Sequence, residues 1–255
     1  MNVLILTDFS EVSDNAAKYA IDFLQEIPSN FYLLNIQDFN FNRTASNKLE
    51  HQLIDILEKL QKNAEELKYY SSNPEHHFNT SLSSENLIKA VRLAMEERKI
   101  DLIFIGTVSQ KTHQHPILGD HAYDVVRKIK CNIIAVPAGC QYKIPKNTIF
   151  PVDSSLIPDE KIVQIMEESF YLKKTKFSLM EINDTKVIAR NPEGQEKNVI
   201  RFKDLNYNFL EDIREKFDFI FIIGKNLNIC DRFLHTRYGF SAKMVIKIPI
   251  FVYHQ

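Results

Sequence analysis

The chain has 255 residues, of which 44% are hydrophobic and 25% are charged, and its formal net charge at pH 7 is -1. This composition is typical of a globular protein, and the length leaves room for two domains of ordinary size. A charge so close to zero argues against nucleic acid or an anionic membrane as a partner, because both attract strongly basic chains.

The apolar runs, the start of the sequence and the cysteines indicate the compartment of the protein. No apolar run approaches the roughly 20 residues that span a bilayer, and no charged segment followed by an apolar one precedes the first predicted strand. We therefore expect a soluble, cytoplasmic protein. The three cysteines form no C-x-x-C pair, which argues against a disulfide framework or a zinc knuckle and indicates reduced thiols.

The first half of the chain predicts strands and helices in alternation. Its strands are continuous apolar runs, typical of parallel strands covered on both faces, and its helices have apolar residues at helical spacing. The strands are predicted at 3–7, 31–36, 101–105 and 132–136, with a weak candidate at 75–80, and the helices at 11–27, 48–70, 118–130 and from 83 onward.

The second half repeats this pattern in a shorter form. Its opening strand, 148–152, ends at Asp153 as the first strand ends before Asp8, and an acid-led strand runs into Gly224 as another runs into Gly106. A period this long indicates a duplicated domain. The pattern predicts domains at 1–140 and 144–255, joined by a linker at 139–146.

Within the second copy, a hairpin replaces the long helix of the first. The turn Asn191-Pro192-Glu193-Gly194 separates β-branched runs at 186–190 and 199–202, which is typical of a β-hairpin. The other predicted elements are helices at 159–171, 206–216 and near 241, and strands at 176–182, 218–223 and 249–253. The fold class is therefore α/β, with two parallel-sheet domains of Rossmann-like or flavodoxin-like type.

In parallel α/β sheets, ligands bind outside the carboxyl ends of the strands. This rule predicts ligand contacts at Asp8, in the segment of Asn35, Ile36 and Gln37, and in the loop that begins at Gly106. Asp8 has a second interpretation as the cap of the following helix, and the two roles are compatible.

The histidines and hydroxyl residues allow two sharper hypotheses. His113 and His115, with His121 nearby, have a spacing that zinc ligands can use, but no second cluster supports a metal site, and exposed loop histidines are the preferred interpretation. Ser10 and Asp8 with a distant histidine match no nucleophile motif, and no P-loop is present. We expect neither a metal nor catalytic residues.

Taken together, the segments 6–11, 101–107, 118–119 and 131–137 resemble the universal stress protein family in its tandem two-domain form, over essentially the whole chain. In nucleotide-binding members, a motif Gly-x-x-Gly, nine residues, then Gly followed by Ser or Thr holds the phosphates, while the opening aspartate and the end of the second strand frame adenine and ribose. The resemblance implies the same Rossmann-like fold and a binding or switching role.

This chain matches that motif only in part. Gly106 and Gly119 occupy the first and third glycine positions, whereas Ser109 stands at the second glycine and Asp120 at the hydroxyl position. The serine narrows the backbone conformations available, and the carboxylate repels a phosphate. The second copy has no glycine between Gly224 and Gly239, so no site is expected there.

These matches lead to three functional hypotheses. The preferred one is a stress-response binding module whose first-domain adenine-nucleotide site is degraded, and the alternative is an ATP-binding switch or slow ATPase that uses ATP with Mg²⁺. An enzyme of the wider adenine-nucleotide hydrolase group is the third. The resemblance also implies self-association through the final strands, 133–136 and 250–253, within one chain or between two.

Overall fold

The computed structural model describes residues 1–37, 46–107, 118–152, 164–165, 175–182, 186–190, 196–201, 213, 215–224 and 247–254, except for the side chains at 46–48 and 181–201. The chain divides into two compact units, one of residues 1–106 with 124–142 and the other of residues 107–123 with 143–255. None of the helices among these residues is both long and apolar enough to cross a membrane.

The first unit is a five-stranded sheet with connecting helices. β1 pairs in parallel with β2 and β4, and β2 pairs in parallel with β3, so the strand order is β3-β2-β1-β4-β5. This is the order of a Rossmann sheet and differs from the flavodoxin order. The elements are β1 Asn2–Leu6, α1 Glu11–Phe23, β2 Ser29–Ile36, α2 Ser46–Tyr70, β3 His76–Ser83, α3 Leu87–Arg98, β4 Leu102–Thr107, α4 Asp120–Lys128 and β5 Asn132–Pro137.

The burial of consecutive strand residues shows that both faces of this sheet are covered. Val3, Leu4 and Ile5 are all fully buried, although their side chains alternate between faces. The continuous apolar runs of the sequence thus correspond to strands packed on two sides. In α2 the apolar stripe is buried only toward its end, at Leu60 and Leu67, whereas Leu57 is half exposed.

The third strand and the third helix differ from their predicted bounds. β3 begins near the expected position but continues to Ser83, and all eight of its residues pair with β2. The helix predicted from residue 83 therefore starts later, at Leu87. Asn86 is its N-cap and accepts a hydrogen bond from the Lys89 backbone N–H at 3.1 Å, since an asparagine in extended conformation satisfies the first free donors of a helix.

The second unit has the strand order β11-β10-β6-β7-β8-β9. β6 pairs in parallel with β7 and β10, and β10 in parallel with β11, whereas β7–β8 and β8–β9 are antiparallel. The predicted hairpin is thereby confirmed. The strands are β6 Asn147–Val152, β7 Lys176–Ile182, β8 Lys186–Arg190, β9 Glu196–Arg201, β10 Phe219–Ile223 and β11 Ile250–Tyr253.

The helices predicted in the second copy are described only in part. Residues 164–165 are helical and fall within the helix predicted at 159–171, and residues 213, 215 and 216 fall within the one predicted at 206–216. The short helix predicted near 241 lies outside the described residues. The turn of the hairpin, at 191–194, lies outside them as well.

One hydrogen-bond pattern occurs at the start of the first strand in both units. The Asn2 backbone N–H donates to Oδ2 of Asp101 at 2.8 Å, and the Asp101 N–H donates to the Asn2 carbonyl at 2.8 Å. In the second unit, the Asn147 N–H donates to Oδ2 of Asp218 at 3.0 Å, and the Asp218 N–H donates to the Asn147 carbonyl at 2.8 Å. The two acid-led strands of the sequence thus share this pair of hydrogen bonds, and Oδ2 of Asp218 also accepts from the Lys146 N–H at 2.8 Å.

Candidate functional site

The candidate site begins where β1 ends, at the point where the strand order of the first unit reverses. β1 lies between β2 and β4, and in sheets of this order ligands bind beyond the carboxyl ends of the two strands at the reversal. The Thr7 backbone N–H donates to the Leu34 carbonyl at 3.0 Å. The chain then turns through Phe9, whose φ is 63°, a left-handed conformation that is uncommon for a bulky residue.

Asp8 supports the start of α1 but does not cap it. Its Oδ1 accepts hydrogen bonds from the Ser10 backbone N–H at 3.0 Å and from Ser10 Oγ at 2.5 Å. Ser10 is the N-cap, and its Oγ accepts from the Ser13 N–H at 3.2 Å. The capping role predicted for Asp8 therefore belongs to Ser10, because the Asp8 carboxylate is engaged one step earlier in the turn.

These contacts also set the protonation of Asp8. Partial burial by itself raises the pKa of the carboxyl, because it disfavours the charged form. The hydrogen bonds from the side chain and backbone of Ser10, with smaller help from Ser13, outweigh burial and lower the pKa below its usual value. Asp8 is exposed and negatively charged at neutral pH.

Asn35 and Ile36 lie at the end of β2, as predicted. Asn35 is buried, its Nδ2 donates to the Thr7 carbonyl at 2.8 Å, and its Oδ1 accepts from Gln37 Nε2 at 2.9 Å. The amide thus joins the carboxyl ends of β1 and β2. Ile36 is partly buried and pairs with Ser83 of β3. Gln37, the last residue of the ligand segment predicted from the sequence, lies directly after β2 and is the donor to Asn35.

Gly106 allows β4 to pack closely against the first turn of α1. A Cβ at this position would lie 2.8 Å from Val12 Cγ1 and 2.9 Å from the Val12 carbonyl oxygen. Real Cβ atoms do not approach other atoms so closely, so any side chain here would displace α1. Packing against α1 therefore requires a glycine at this position, whether or not a ligand binds nearby.

Gly119 and Asp120 form the start of α4, in the segment 107–123 that groups with the second unit. Gly119 is buried with a φ of 73°, and its carbonyl accepts from the Tyr123 N–H at 3.0 Å. Asp120 is the first residue of the helix and is exposed. A carboxylate there interacts favourably with the positive end of the helix dipole, which is also the feature that attracts phosphates.

Three of the predicted residues lie outside the described part of the chain. They are Ser109, at the second glycine position of the motif, and the loop histidines His113 and His115. His121 is described and is exposed on the first turn of α4. Among the described residues, no group of three or more histidine, cysteine, aspartate or glutamate side chains is arranged to hold a metal.

A cavity of about 410 Å³ lies elsewhere in the first unit, between α1 and α2. Asp14, Lys18, Asn63 and Tyr70 contribute to its lining. Asn63 Nδ2 donates to Asp14 Oδ1 at 3.0 Å, and the Tyr70 hydroxyl donates to the Asp22 carboxylate at 2.8 Å. These polar groups hold the two helices together, so the cavity is explained by helix packing.

Solved structures resemble this chain in fold. A universal stress protein from Archaeoglobus fulgidus is 12% identical, with a TM-score of 0.58 over 99% of this chain and 98% of its own. A functionally unknown protein from Pseudomonas aeruginosa PAO1 is 11% identical, with a TM-score of 0.52 over 99% and 92%. A universal stress protein solved in complex with cAMP is 18% identical, with a TM-score of 0.43 over 55% and 98%.

The sequence comparisons identify the family. No curated protein has a significantly similar sequence. The model of the universal stress protein family matches residues 1–137, which contain all five strands of the first unit and every residue of the candidate site. The chain therefore belongs to the universal stress protein family.

Proposed function

We propose that this protein is a binding and signalling module of the stress response, built from two tandem copies of the domain. Its first copy, residues 1–140, has a degraded adenine-nucleotide site, and its second, residues 144–255, has none. Family membership supports the stress-response role. The degraded site is supported by Asp120, an exposed carboxylate on the first residue of α4, where the family motif places a hydroxyl.

The cost of that carboxylate follows from Coulomb's law. A charge about 4 Å from a phosphate repels it by roughly 1 kcal/mol in water and about 4 kcal/mol near a protein surface. Since about 1.4 kcal/mol changes a dissociation constant tenfold, Asp120 is expected to weaken nucleotide binding by roughly fivefold to a thousandfold. Mg²⁺ bound between the two groups would relieve part of this repulsion.

In the second copy, a side chain takes the space next to the corresponding glycine. A Cβ on Gly224 would lie 2.5 Å from Nδ1 of His254, so the imidazole packs against the end of β10. The acid that opens this copy, Asp153, lies outside the described residues. The position of His254 supports a domain kept for its fold and contacts.

The tandem arrangement is supported by both units. Each has a parallel core in which the opening strand lies between its two parallel neighbours, β1 between β2 and β4, and β6 between β7 and β10. The hydrogen bonds of Asp101 to Asn2 and of Asp218 to Asn147 repeat in detail. A chance resemblance between unrelated folds would not be expected to repeat the carboxylate contacts as well.

The test is to denature freshly purified protein, look for released nucleotide by mass spectrometry, and titrate the stripped protein with ATP and Mg²⁺ by calorimetry. The proposal predicts no stoichiometric nucleotide and weak or undetectable binding. Asp120→Ser should raise the affinity at least about fivefold. Asp124→Ser is the matched control, because it removes the same charge one helical turn later, where Asp124 pairs with Lys128 at 2.8 Å. Equal effects of both variants would contradict the role of Asp120.

The alternative is an ATP-binding switch or slow ATPase. The left-handed backbone of Gly119 favours it, because this is the conformation that lets N–H groups at a helix start face a phosphate. Tightly bound ATP or ADP in the purified wild-type protein would select this alternative. Release of inorganic phosphate from ATP, lost in Asp8→Asn, would further distinguish the ATPase from the switch.

The proposal includes cytoplasmic location and self-association through the final strands. β5 and β11 are each the terminal strand in the order of their own unit and are strongly apolar, and such edges favour pairing. A disulfide engineered between β5 and β11 distinguishes the two arrangements on a non-reducing denaturing gel. Pairing within one chain predicts a species near 29.8 kDa, whereas pairing between chains predicts a cross-linked species of twice that mass. Cell fractionation checks the location.

A further inference from the structure

Among the strands that the structure describes, none pairs with the outer edge of β3. We propose that two copies of the chain join their sheets there, by antiparallel pairing of β3 with β3 around a twofold axis. β3 is the terminal strand of the first unit, opposite to β5. All eight of its residues pair with β2 in an unbroken register, from Ser29 with His76 to Ile36 with Ser83.

The sequence of β3 lacks the residues by which natural proteins block edge strands. Such strands are usually short, carry lysine or proline, or contain a bulge that twists the edge away. β3 has the sequence HHFNTSLS, with no lysine, arginine, aspartate, glutamate or proline, and it is longer than a typical strand of about five or six residues. Thr80, near its middle, is exposed.

The hydrogen bonds to β2 determine which backbone groups face outward. The Ser29 N–H donates to the Glu75 carbonyl at 3.3 Å, and the Gln37 N–H donates to the Ser83 carbonyl at 2.9 Å. In a parallel ladder every second residue turns both of its backbone groups to the same neighbour. The odd-numbered residues of β3 therefore face β2, and Phe78, Thr80 and Leu82 present their N–H and C=O groups at the outer edge.

A twofold axis through Thr80 satisfies all of these groups at once. It places Thr80 opposite Thr80 of the second copy and Phe78 opposite Leu82, with Asn79 opposite Ser81 between them. Three pairs of this kind exchange about six hydrogen bonds, since each hydrogen-bonded pair of an antiparallel ladder exchanges two. Residues that face each other are all even or all odd, so their side chains lie on the same face of the joined sheet.

The side chains favour a second copy as the occupant of this edge. The pairing brings no like charges together, because the strand has no lysine, arginine, aspartate or glutamate, and it brings an aromatic residue next to an aliphatic one, a stabilising cross-strand pair. Phe78 is already held by stacking on Phe31, with ring centroids 5.0 Å apart. Little further ordering is therefore needed on association.

Sedimentation velocity over a wide concentration range tests the pairing. The wild-type chain should dimerise, and Thr80→Pro should raise the dissociation constant at least tenfold, because proline removes an outward N–H without touching the ladder to β2. Thr80→Val keeps the N–H and should leave the dimer intact. If Thr80→Pro does not fold, Thr80→Lys replaces it, because that substitution places two like charges face to face at the axis.

A cysteine pair tests the register. In the proposed dimer, the Cα atoms of the two Thr80 residues lie about 5.5 Å apart, which is within disulfide range. Thr80→Cys should therefore give an oxidised cross-linked dimer on a non-reducing gel, and Asn79→Cys, the matched control, should give much less.

Three results would overturn the proposal. One is a monomer at every concentration, and another is a dimer that neither Thr80 variant weakens, which would assign association to another surface such as β5 or β11. The third is a monomer whose β3 amides become protected from hydrogen exchange only when an extended peptide is added, which would assign the edge to a different partner.

Discussion

Replacing Gly106 by alanine should destabilise the first unit even if no nucleotide ever binds. The new Cβ would lie 2.8 Å from Val12 Cγ1, 2.9 Å from the Val12 oxygen and 3.1 Å from the Val12 carbonyl carbon. Two of these are backbone atoms of α1, which cannot move aside as a flexible side chain can. Overpacking of this kind costs about 1 to 3 kcal/mol, which corresponds to a Tm lowered by roughly 3 to 9 °C in a chain of this size.

The assay is thermal unfolding followed by circular dichroism, with urea unfolding as a check. Gly139→Ala is the control, because a Cβ there meets nothing within 4 Å and adds only the strain of a φ of 70°, about 1 to 2 kcal/mol. The double variant Gly106→Ala with Val12→Ala removes the Cγ1 contact but keeps the backbone contacts. Its destabilisation should be smaller than the sum of the two single changes. Strict additivity, or a wild-type Tm for Gly106→Ala, would refute the packing argument.

Three further predictions concern contacts that hold local structure. The pKa of the Asp8 carboxyl is lower in the folded protein than in the unfolded chain. Asp8 therefore stabilises the fold at pH values above its usual pKa of about 4, and this stabilisation is lost as the pH falls through the lowered folded-state pKa. The difference in unfolding free energy between wild type and Asp8→Asn should thus shrink on acidification. A difference that stays constant with pH would contradict a stabilising role of the Asp8 charge. Asp101→Ala should cost about 1 kcal/mol and speed amide exchange of Asn2. Asp218→Ala should cost more and speed exchange of Asn147, because Oδ2 of Asp218 also accepts from the Lys146 N–H, and an equal cost would argue against a role for that added contact. Tyr142→Leu should cost about 0.5 to 1.5 kcal/mol, because the ring packs edge-on against two aromatic residues of α1 at 5.5 and 5.6 Å, whereas Tyr142→Phe should change little in the same urea titration.

The central strands could be predicted from the sequence, because a strand that is buried on both faces is a continuous run of apolar residues. The runs around Leu4 and around Phe104 are apolar at every position, and they became central strands. The end of β3 could not be predicted, because Thr80, Ser81 and Ser83 are polar and belong to an edge strand. Pairing with β2 keeps those residues extended, and a contact distant in sequence leaves no local pattern.

The sequence predicted which residues of the candidate site lie at the carboxyl ends of strands, but not the contacts that they make. The rule that ligands bind at the carboxyl ends of parallel strands led to Asp8, Asn35 and Gly106. The structure adds that Asn35 joins two strands, that Ser10 is the helix cap, and that Gly106 packs against Val12. These contacts join residues brought together by folding, so local patterns indicate that the residues matter without showing why.

Asp120 allows an effect on stability to be distinguished from an effect on nucleotide binding, because its negative charge favours the helix and disfavours a bound phosphate. A carboxylate on the first residue of α4 stabilises the helix by about 0.3 to 1 kcal/mol through the helix dipole, and the same charge repels a phosphate approaching that end. Asp120→Ser should therefore lower the Tm slightly while it tightens ATP binding at least about fivefold. Asp124→Ser lies beyond the first turn and should change neither quantity by as much. A loss of stability without a gain in affinity would show that the start of α4 is not where this chain would hold a phosphate.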